Sequence, residues 1–209
     1  MERFIAPLSI KIIYVLNEII FWLFSLVLVG AIVFSIVILA GGLKNDLQLH
    51  AGLPIAFNSD ATGFIMAANT AYDVQIVEAY GKLHFINTPP YIAKRFVITM
   101  LFACGIMFFI LFTIRMFMRN VRKGLIFEYK NIRLLRRLSF ILLGFWGFTK
   151  LYSWMMMKFV VSKLHIGTVE FSNQYQNFNY LLIISLFIWA LSHIFIVGQK
   201  LREENTLTI

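Results

Sequence analysis

An uncharged apolar run from Ile19 to Ala40 is the feature that most constrains this fold. Its 22 residues contain no Asp, Glu, Lys or Arg. As an α-helix such a run is about 33 Å long, enough to cross the hydrocarbon core of a bilayer. It is longer than the apolar core of a cleavable signal peptide, which usually has about 7 to 15 residues. The run therefore predicts a retained membrane span.

The rest of the chain has the same character, because hydrophobic residues make up 60% and charged residues 14% of the 209 positions. A mean hydropathy of +0.79 is outside the usual range of a soluble domain. Three further apolar runs predict spans at about 96–118, 138–157 and 180–197. The fold class that we expect is an all-α integral membrane protein with four transmembrane helices, forming one membrane domain over residues 1–209.

Residues 41–95, between the first two predicted spans, differ from the rest, since polar and apolar side chains alternate there. Val74–Tyr80 and Leu83–Ile86 are typical of two strands, and Gly81-Lys82 between them favours a tight hairpin turn. Leu53–Phe57 is a candidate third strand. A segment of this length is too long for a plain connector. We expect a small β-containing loop on the extracytoplasmic side.

A basic connector, residues 115–137, separates the second and third predicted spans. It holds eight of the chain's 19 Lys and Arg residues and one acid, Glu128. Lys and Arg in short loops beside membrane spans resist translocation, which predicts a cytoplasmic connector. Four spans then place both termini and the tail, residues 198–209, in the cytoplasm, although Lys94 and Arg95 fall on the outer side, against the rule. Gly124 is expected to break the helix, and a new helix to begin near Glu128.

The cations of this connector have two interpretations. They mark topology and contact anionic lipid of the inner leaflet, or they bind an acidic face of a cytoplasmic partner. Their position beside membrane spans argues against direct contact with nucleic acid. A second copy of the chain is a further candidate partner. The residues concerned are Arg119, Arg122, Lys123, Lys130, Arg133, Arg136 and Arg137.

Three ionisable residues lie within or at the ends of predicted spans. Lys150 is near the middle of the third span, where a charge costs on the order of 3 kcal/mol; it marks a functional site, or it extends outward or pairs between helices. His193 in the fourth span is either a pH-sensitive switch or a neutral interhelical hydrogen-bonding group. Glu18 either pairs with the connector or tail or is a solvated helix end. Their different depths do not suit a proton relay.

No enzyme motif is present in the sequence. HExxH, GxSxG, a P-loop and a Cys pair are all absent, and the single Cys104 suits helix packing. The four histidines have no metal-ligand spacing. We therefore expect no catalytic residue, no cofactor and no metal site. The histidines are His50, His84, His165 and His193.

Two stretches, GLIFEYKNIRLLRRLSF and HIFIVGQKLREENTLTI, resemble a bacterial membrane family, domain of unknown function 2975 (DUF2975). The family pattern of the connector falls on Gly124, Phe127, Asn131, Leu135 and Arg136. The pattern at the end of the chain falls on Ile194, Phe195, Gly198, Leu201, Glu204, Leu207, Thr208 and Ile209. His193 stands where the family pattern has an acidic residue.

This resemblance implies a multi-pass protein of the bacterial inner membrane. Members are often encoded beside a small helix-turn-helix regulator, which implies a signalling or accessory protein that binds such a regulator. The resemblance brings no catalytic activity with it. The alternative from the residues themselves is a small transporter, channel or immunity-type membrane protein that uses Lys150 and His193.

Overall fold

The computed structural model describes residues 7–42, 48–67, 70–85, 88–163, 169–171 and 179–207. Four long helices dominate this part of the chain. They are α1 (Leu8–Leu39), α2 (Pro90–Arg122), α3 (Tyr129–Lys163) and α4 (Asn179–Leu207). Each predicted span lies in one helix, apart from the last residue of the first span, because a helix is the only single-segment structure that satisfies its own backbone in lipid.

The helices extend beyond the apolar runs that predict them. α1 begins at Leu8, so the segment before Ile19 is a direct continuation of the first predicted span. α4 continues through Leu207, which makes most of the predicted tail helical. The last two tail residues, Thr208 and Ile209, lie outside the described residues. The ends of apolar runs therefore do not mark the ends of helices, since polar residues also favour a helix in water.

Three of the described helices are long and apolar enough to cross a membrane: α1, α2 and, in α4, Asn179–Glu204. The third helix, α3, is long enough but less apolar. Lys150 and the polar residues around it, Thr149, Tyr152 and Ser153, interrupt its apolar run. The span expected at 138–157 is thus helical, and its crossing of the membrane stays a prediction.

The chain divides into two compact units, and the first contains residues 1–42, 94–148 and 178–209. Its core joins Ile110 of α2 to Leu138 and Leu142 of α3, with Leu181 and Ile188 of α4 packed against them. A buried interhelical hydrogen bond, in which Ser139 Oγ donates to the Ser185 carbonyl at 2.9 Å, links α3 to α4.

Aromatic packing holds α1 against α2 in the same unit. The ring of Phe21 is 5.4 Å from that of Phe108 and 6.3 Å from that of Phe112, between centroids. Most other apolar side chains of α1 are exposed, and Leu26 is 74% exposed. An exposed apolar face of this extent suits a lipid environment rather than water.

The second unit contains residues 43–93 and 149–177. Its strands are β1 (Leu49–Ala67), β2 (Thr70–Phe85) and β3 (Val169–Phe171), in the antiparallel order β2–β1–β3. The short β3 pairs with Ile55 to Phe57 of β1. The sheet thus combines residues from the segment after α1 with residues from the segment after α3.

The prediction of a hairpin turn at Gly81-Lys82 is wrong. β2 runs through this position, where Gly81 pairs with Leu53 and Lys82 with Gly52 of β1. The register instead extends to the pair of Ala67 with Thr70, the last residue of β1 and the first of β2. Glycine permits a turn without requiring one, and the long partner strand supplies ladder hydrogen bonds on both sides of Gly81. The candidate strand Leu53–Phe57 lies within β1, and Ile86 is outside the described residues.

Candidate interaction site

The candidate site is built on the turn between α2 and α3, residues 123–128. Gly124 has a φ of 80°, in the left-handed region that favours glycine, and this conformation ends α2. The Leu125 N–H donates to the Asn120 carbonyl at 3.1 Å, which closes the turn. The predicted helix break at Gly124 is confirmed, and α3 begins at Tyr129, one residue after the predicted start.

The side chain of Asn131 fixes this turn from inside. It is fully buried, and its Nδ2 donates to the carbonyls of Leu125 at 2.7 Å and Ile126 at 3.4 Å. Its Oδ1 accepts a hydrogen bond of 2.8 Å from Asn120 Nδ2. Burying an amide is costly unless its polar atoms form hydrogen bonds. Here these hydrogen bonds also satisfy two backbone carbonyls of the turn. Asn131 therefore determines the path of the chain between α2 and α3.

Phe127 joins this turn to α4. Its ring lies 5.2 Å from that of Phe195, which is also 6.4 Å from the ring of Phe117 in α2. Gly198 lies directly beside Phe127, since a Cβ at position 198 would be 2.9 Å from Cε1 of the ring. Glycine at 198 thus permits the close approach. We call Gly124, Phe127, Asn131, Phe195 and Gly198 the corner.

The corner brings together residues from both stretches of the family-like pattern. Leu135, another residue of the connector pattern, is buried, with only 4% of it exposed. The remaining described pattern residues of α4, Ile194, Leu201 and Glu204, are exposed. Leu207 is helical, and Thr208 lies outside the described residues. The pattern therefore contains both residues that build the corner and residues that face outward.

The connector cations lie on the end of α2, in the turn and on the start of α3. Arg119, Arg122, Lys123, Lys130, Arg133 and Arg137 are exposed. Arg136 is half-buried, and within the described part of the chain its Nε has no hydrogen-bond partner. Two guanidinium groups lie over tyrosine rings: Arg122 is 4.7 Å from the centroid of Tyr14, and Arg133 is 5.0 Å from that of Tyr129. Most of the charge of the connector is therefore exposed.

Glu18 forms an ion pair with Arg115, the first residue of the connector. Arg115 Nε donates to Glu18 Oε1 and Nη2 to Oε2, both at 2.8 Å, while Tyr14 Oη also donates to Oε1 at 2.8 Å. The guanidinium group also lies 4.5 Å from the Phe21 ring centroid. Of the interpretations open for Glu18, the structure therefore shows pairing with the connector, and the bond links α1 to α2.

The other two intramembrane candidates belong to α4 and α3. His193 is exposed on α4, and its ring meets that of Trp189 edge to face at 4.9 Å. Lys150 is half-buried in α3 and belongs to the second unit. Cys104 is free and half-buried in α2. Within the described ranges, no three His, Cys, Asp or Glu side chains are grouped as metal ligands would be.

Sequence reasoning missed three contributors to this site: Tyr14, Asn120 and Arg115 as the partner of Glu18. Tyr14 carries a weak signal, since it precedes Glu18 by one helical turn. Asn120 carries none, because its role depends on a turn that brings it beside Asn131. The Glu18–Arg115 pair joins residues 97 positions apart, which no local pattern indicates.

The fold and the corner define a helical protein with at least three helices suited to a membrane. Residues 68–209 match the family model described as "Protein of unknown function (DUF2975)". The chain belongs to this family, which the stretches GLIFEYKNIRLLRRLSF and HIFIVGQKLREENTLTI also indicate. The match begins within the sheet-forming segment and includes all of α2, α3 and α4. No curated protein and no solved structure matches the chain significantly.

Gly198→Ala tests the contact between the turn and α4. We expect it to lower the free energy of unfolding by about 1–2 kcal/mol, because the new methyl group displaces the Phe127 ring. In a Phe127→Leu background the cost is expected to vanish, because the ring that the methyl group would displace is absent. Alanine is also the better helix former. Thermal unfolding in detergent measures both. Gly105→Ala, at a helical glycine with open space around it, is the matched control; equal effects at positions 198 and 105 would contradict the contact.

Glu18→Gln and Arg115→Gln test the link between α1 and α2. Each substitution removes a charge and leaves its partner uncompensated, so each is expected to cost on the order of 1 kcal/mol. The double variant is expected to cost less than the two single effects together, in a double-mutant cycle of thermal unfolding. Gln199→Ala, which removes an exposed hydrogen bond to Glu203, is the control. Strict additivity would show that the pair contributes nothing to stability.

Proposed function

We propose that this protein is a four-span protein of the bacterial inner membrane that binds a small helix-turn-helix regulator at its cytoplasmic surface. In this proposal all four helices cross the bilayer, the sheet lies outside the cytoplasm, and the corner lies inside. The protein has no catalytic activity and acts as an accessory or signalling component. The observation that carries the proposal is the corner, which joins the turn of the basic connector to α4.

The pairing of β1 with β3 supports a fourth crossing by α3. β1 belongs to the segment before α2, and β3 to the segment after α3. Hydrogen-bonded strands share one side of a membrane. If α2 carries the chain away from that side, α3 has to bring it back. The strand pairing therefore favours α3 as a span, although Lys150 lowers the hydropathy of this helix.

The charge distribution supports a cytoplasmic position for the corner. The connector carries eight Lys and Arg residues against a single Glu128, which is the pattern of a loop retained inside. With this orientation both termini are cytoplasmic. The sheet-forming segments, which hold fewer cations, are then on the outer side.

The exposed surface beside the corner suits a protein partner. Leu201 follows Gly198 by one helical turn and is 56% exposed, although it lies beyond the predicted end of the fourth span. Lys130 and Arg137 are exposed on the first three turns of α3. Exposed apolar and cationic side chains on the two helices that meet at the corner suit an acidic, partly apolar face of a partner. The partner that we propose is a small DNA-binding regulator with such a face, because the family resemblance implies a regulator of this kind.

The transporter or channel alternative has less support. It requires Lys150 and His193 to face a common interhelical cavity, as intramembrane ionisable groups in transport pathways do. The ring of His193 is instead exposed beside Trp189. No observation on the described residues favours this alternative over an accessory role.

Photocrosslinking in intact membranes tests the regulator proposal. A photoreactive residue at Lys130 is expected to capture a small helix-turn-helix protein, identified by mass spectrometry of the adduct. The same residue at Phe140, which is 62% exposed in the apolar part of α3, is the control and is expected to capture lipid. Arg137→Glu is expected to reduce the protein adduct, since it reverses a charge on the same helix.

If Lys130 yields only lipid and self-adducts while the regulator is co-expressed, the connector does not bind such a protein. Capture of the regulator equally well from Phe140 would show that proximity in the membrane, rather than the basic surface, produces the adduct.

A further inference from the structure

We propose that one anionic phospholipid binds where the start of α1 lies against the end of α2. Its phosphate contacts Arg122, and one acyl chain lies along α1. This goes beyond binding of a regulator, since it concerns a different partner and a different part of the surface. The proposal depends on three features: a guanidinium group held on a tyrosine ring, a neutralised acid beside it, and an apolar groove that begins at that acid.

Arg122 is prepared to bind a phosphate. Its guanidinium group lies 4.7 Å from the centroid of the Tyr14 ring, across the boundary between α2 and α1. Stacking occupies the flat face of the group and leaves its in-plane N–H donors for a second ligand. Within the described part of the chain, no carboxylate forms an ion pair with Arg122, which is exposed. The planar donor fork matches two oxygens of one phosphate.

Glu18 would repel a phosphate if its charge were uncompensated. Arg115 binds both of its oxygens at 2.8 Å, and Tyr14 donates a third hydrogen bond. The pair has no net charge, so Arg115 is committed to Glu18 and Arg122 remains for the ligand. Tyr14 therefore has two roles, since its hydroxyl group bonds to Glu18 while its ring supports Arg122.

A shallow, open surface groove, whose lining residues in the described part of the chain all belong to α1, begins at Glu18 and follows this helix into the first predicted span. Glu18, Trp22, Leu26 and Val29 lie along it, at the spacing of one helical face. From position 18 to position 29 the helix rises about 16 Å, close to half the thickness of the hydrocarbon core. This length and the apolar lining suit one acyl chain of the adjacent leaflet, below a headgroup at Arg122.

Lipid retention by the purified full-length protein tests this site. The protein is incubated in detergent with phosphatidylglycerol or phosphatidylcholine, and bound lipid is counted by native mass spectrometry. We expect preferential retention of phosphatidylglycerol. Tyr14→Leu, which removes the supporting ring, and Arg122→Lys, which keeps the charge but removes the planar fork, are each expected to lower retention about threefold or more.

Two matched variants separate a phosphate site from general charge. Tyr14→Phe keeps the ring and loses one hydrogen bond to Glu18, whose charge Arg115 still neutralises. Arg202→Lys makes the same exchange as Arg122→Lys at an exposed arginine of α4 with no stacked ring among the described residues. Both are expected to retain lipid as the wild type does. Circular dichroism and size-exclusion profiles show that each variant is folded. Equal retention by Arg122→Lys and wild type, or equal losses at positions 122 and 202, would overturn the proposal.

A competition arm distinguishes a lipid from a free phosphate compound. Excess glycerol phosphate, which has the headgroup chemistry without acyl chains, is expected to leave phosphatidylglycerol bound because the groove holds the chain. Complete displacement by glycerol phosphate would overturn the lipid assignment, since it would show that the acyl chain adds no affinity. Regulator capture from Lys130 is measured separately, so failure of one proposal does not imply failure of the other.

Discussion

The buried amide of Asn131 is the interaction on which the basic end of the helical unit depends. A chain that leaves one helix and enters the next within six residues has several backbone groups without helical partners. Asn131 bonds two of these carbonyls and binds the side chain of Asn120 at the end of α2. With the turn fixed, Phe127 is held against α4, where Gly198 leaves room for its ring. One polar side chain thus determines how three helices meet.

The arginines of this region show how one residue type serves different purposes according to its neighbours. Arg115 is paired with Glu18 and is thereby neutralised within a predicted span. Arg122 and Arg133 are supported by tyrosine rings and keep their donors exposed. Arg137 is exposed on α3. Pairing suits a structural link, whereas exposure suits binding of an anionic surface, so the same basic connector combines a structural link with exposed cations.

The sequence predicts the helices well because long apolar runs in lipid have one backbone solution. It also predicts the break at Gly124, since positive φ is a local property of glycine. It predicts poorly what depends on distant residues: the partner of Glu18, the role of Asn120 and the approach of Phe127 to Gly198. The error at Gly81 has the same origin, because a long partner strand overrides a local turn signal. For α3, Lys150 weakens the apolar signal that defines the other spans.

The contact between the turn and α4 is the central claim, and intramolecular photocrosslinking tests it most directly. A photoreactive phenylalanine analogue at position 127 keeps an aromatic ring in the corner, and peptide mapping locates the bond that it forms. The account predicts attachment to the α4 peptide that contains Phe195 and Gly198, with a lower yield when Asn131→Ala is added. Attachment only to lipid or to other helices, or a yield unaffected by Asn131→Ala, would contradict it.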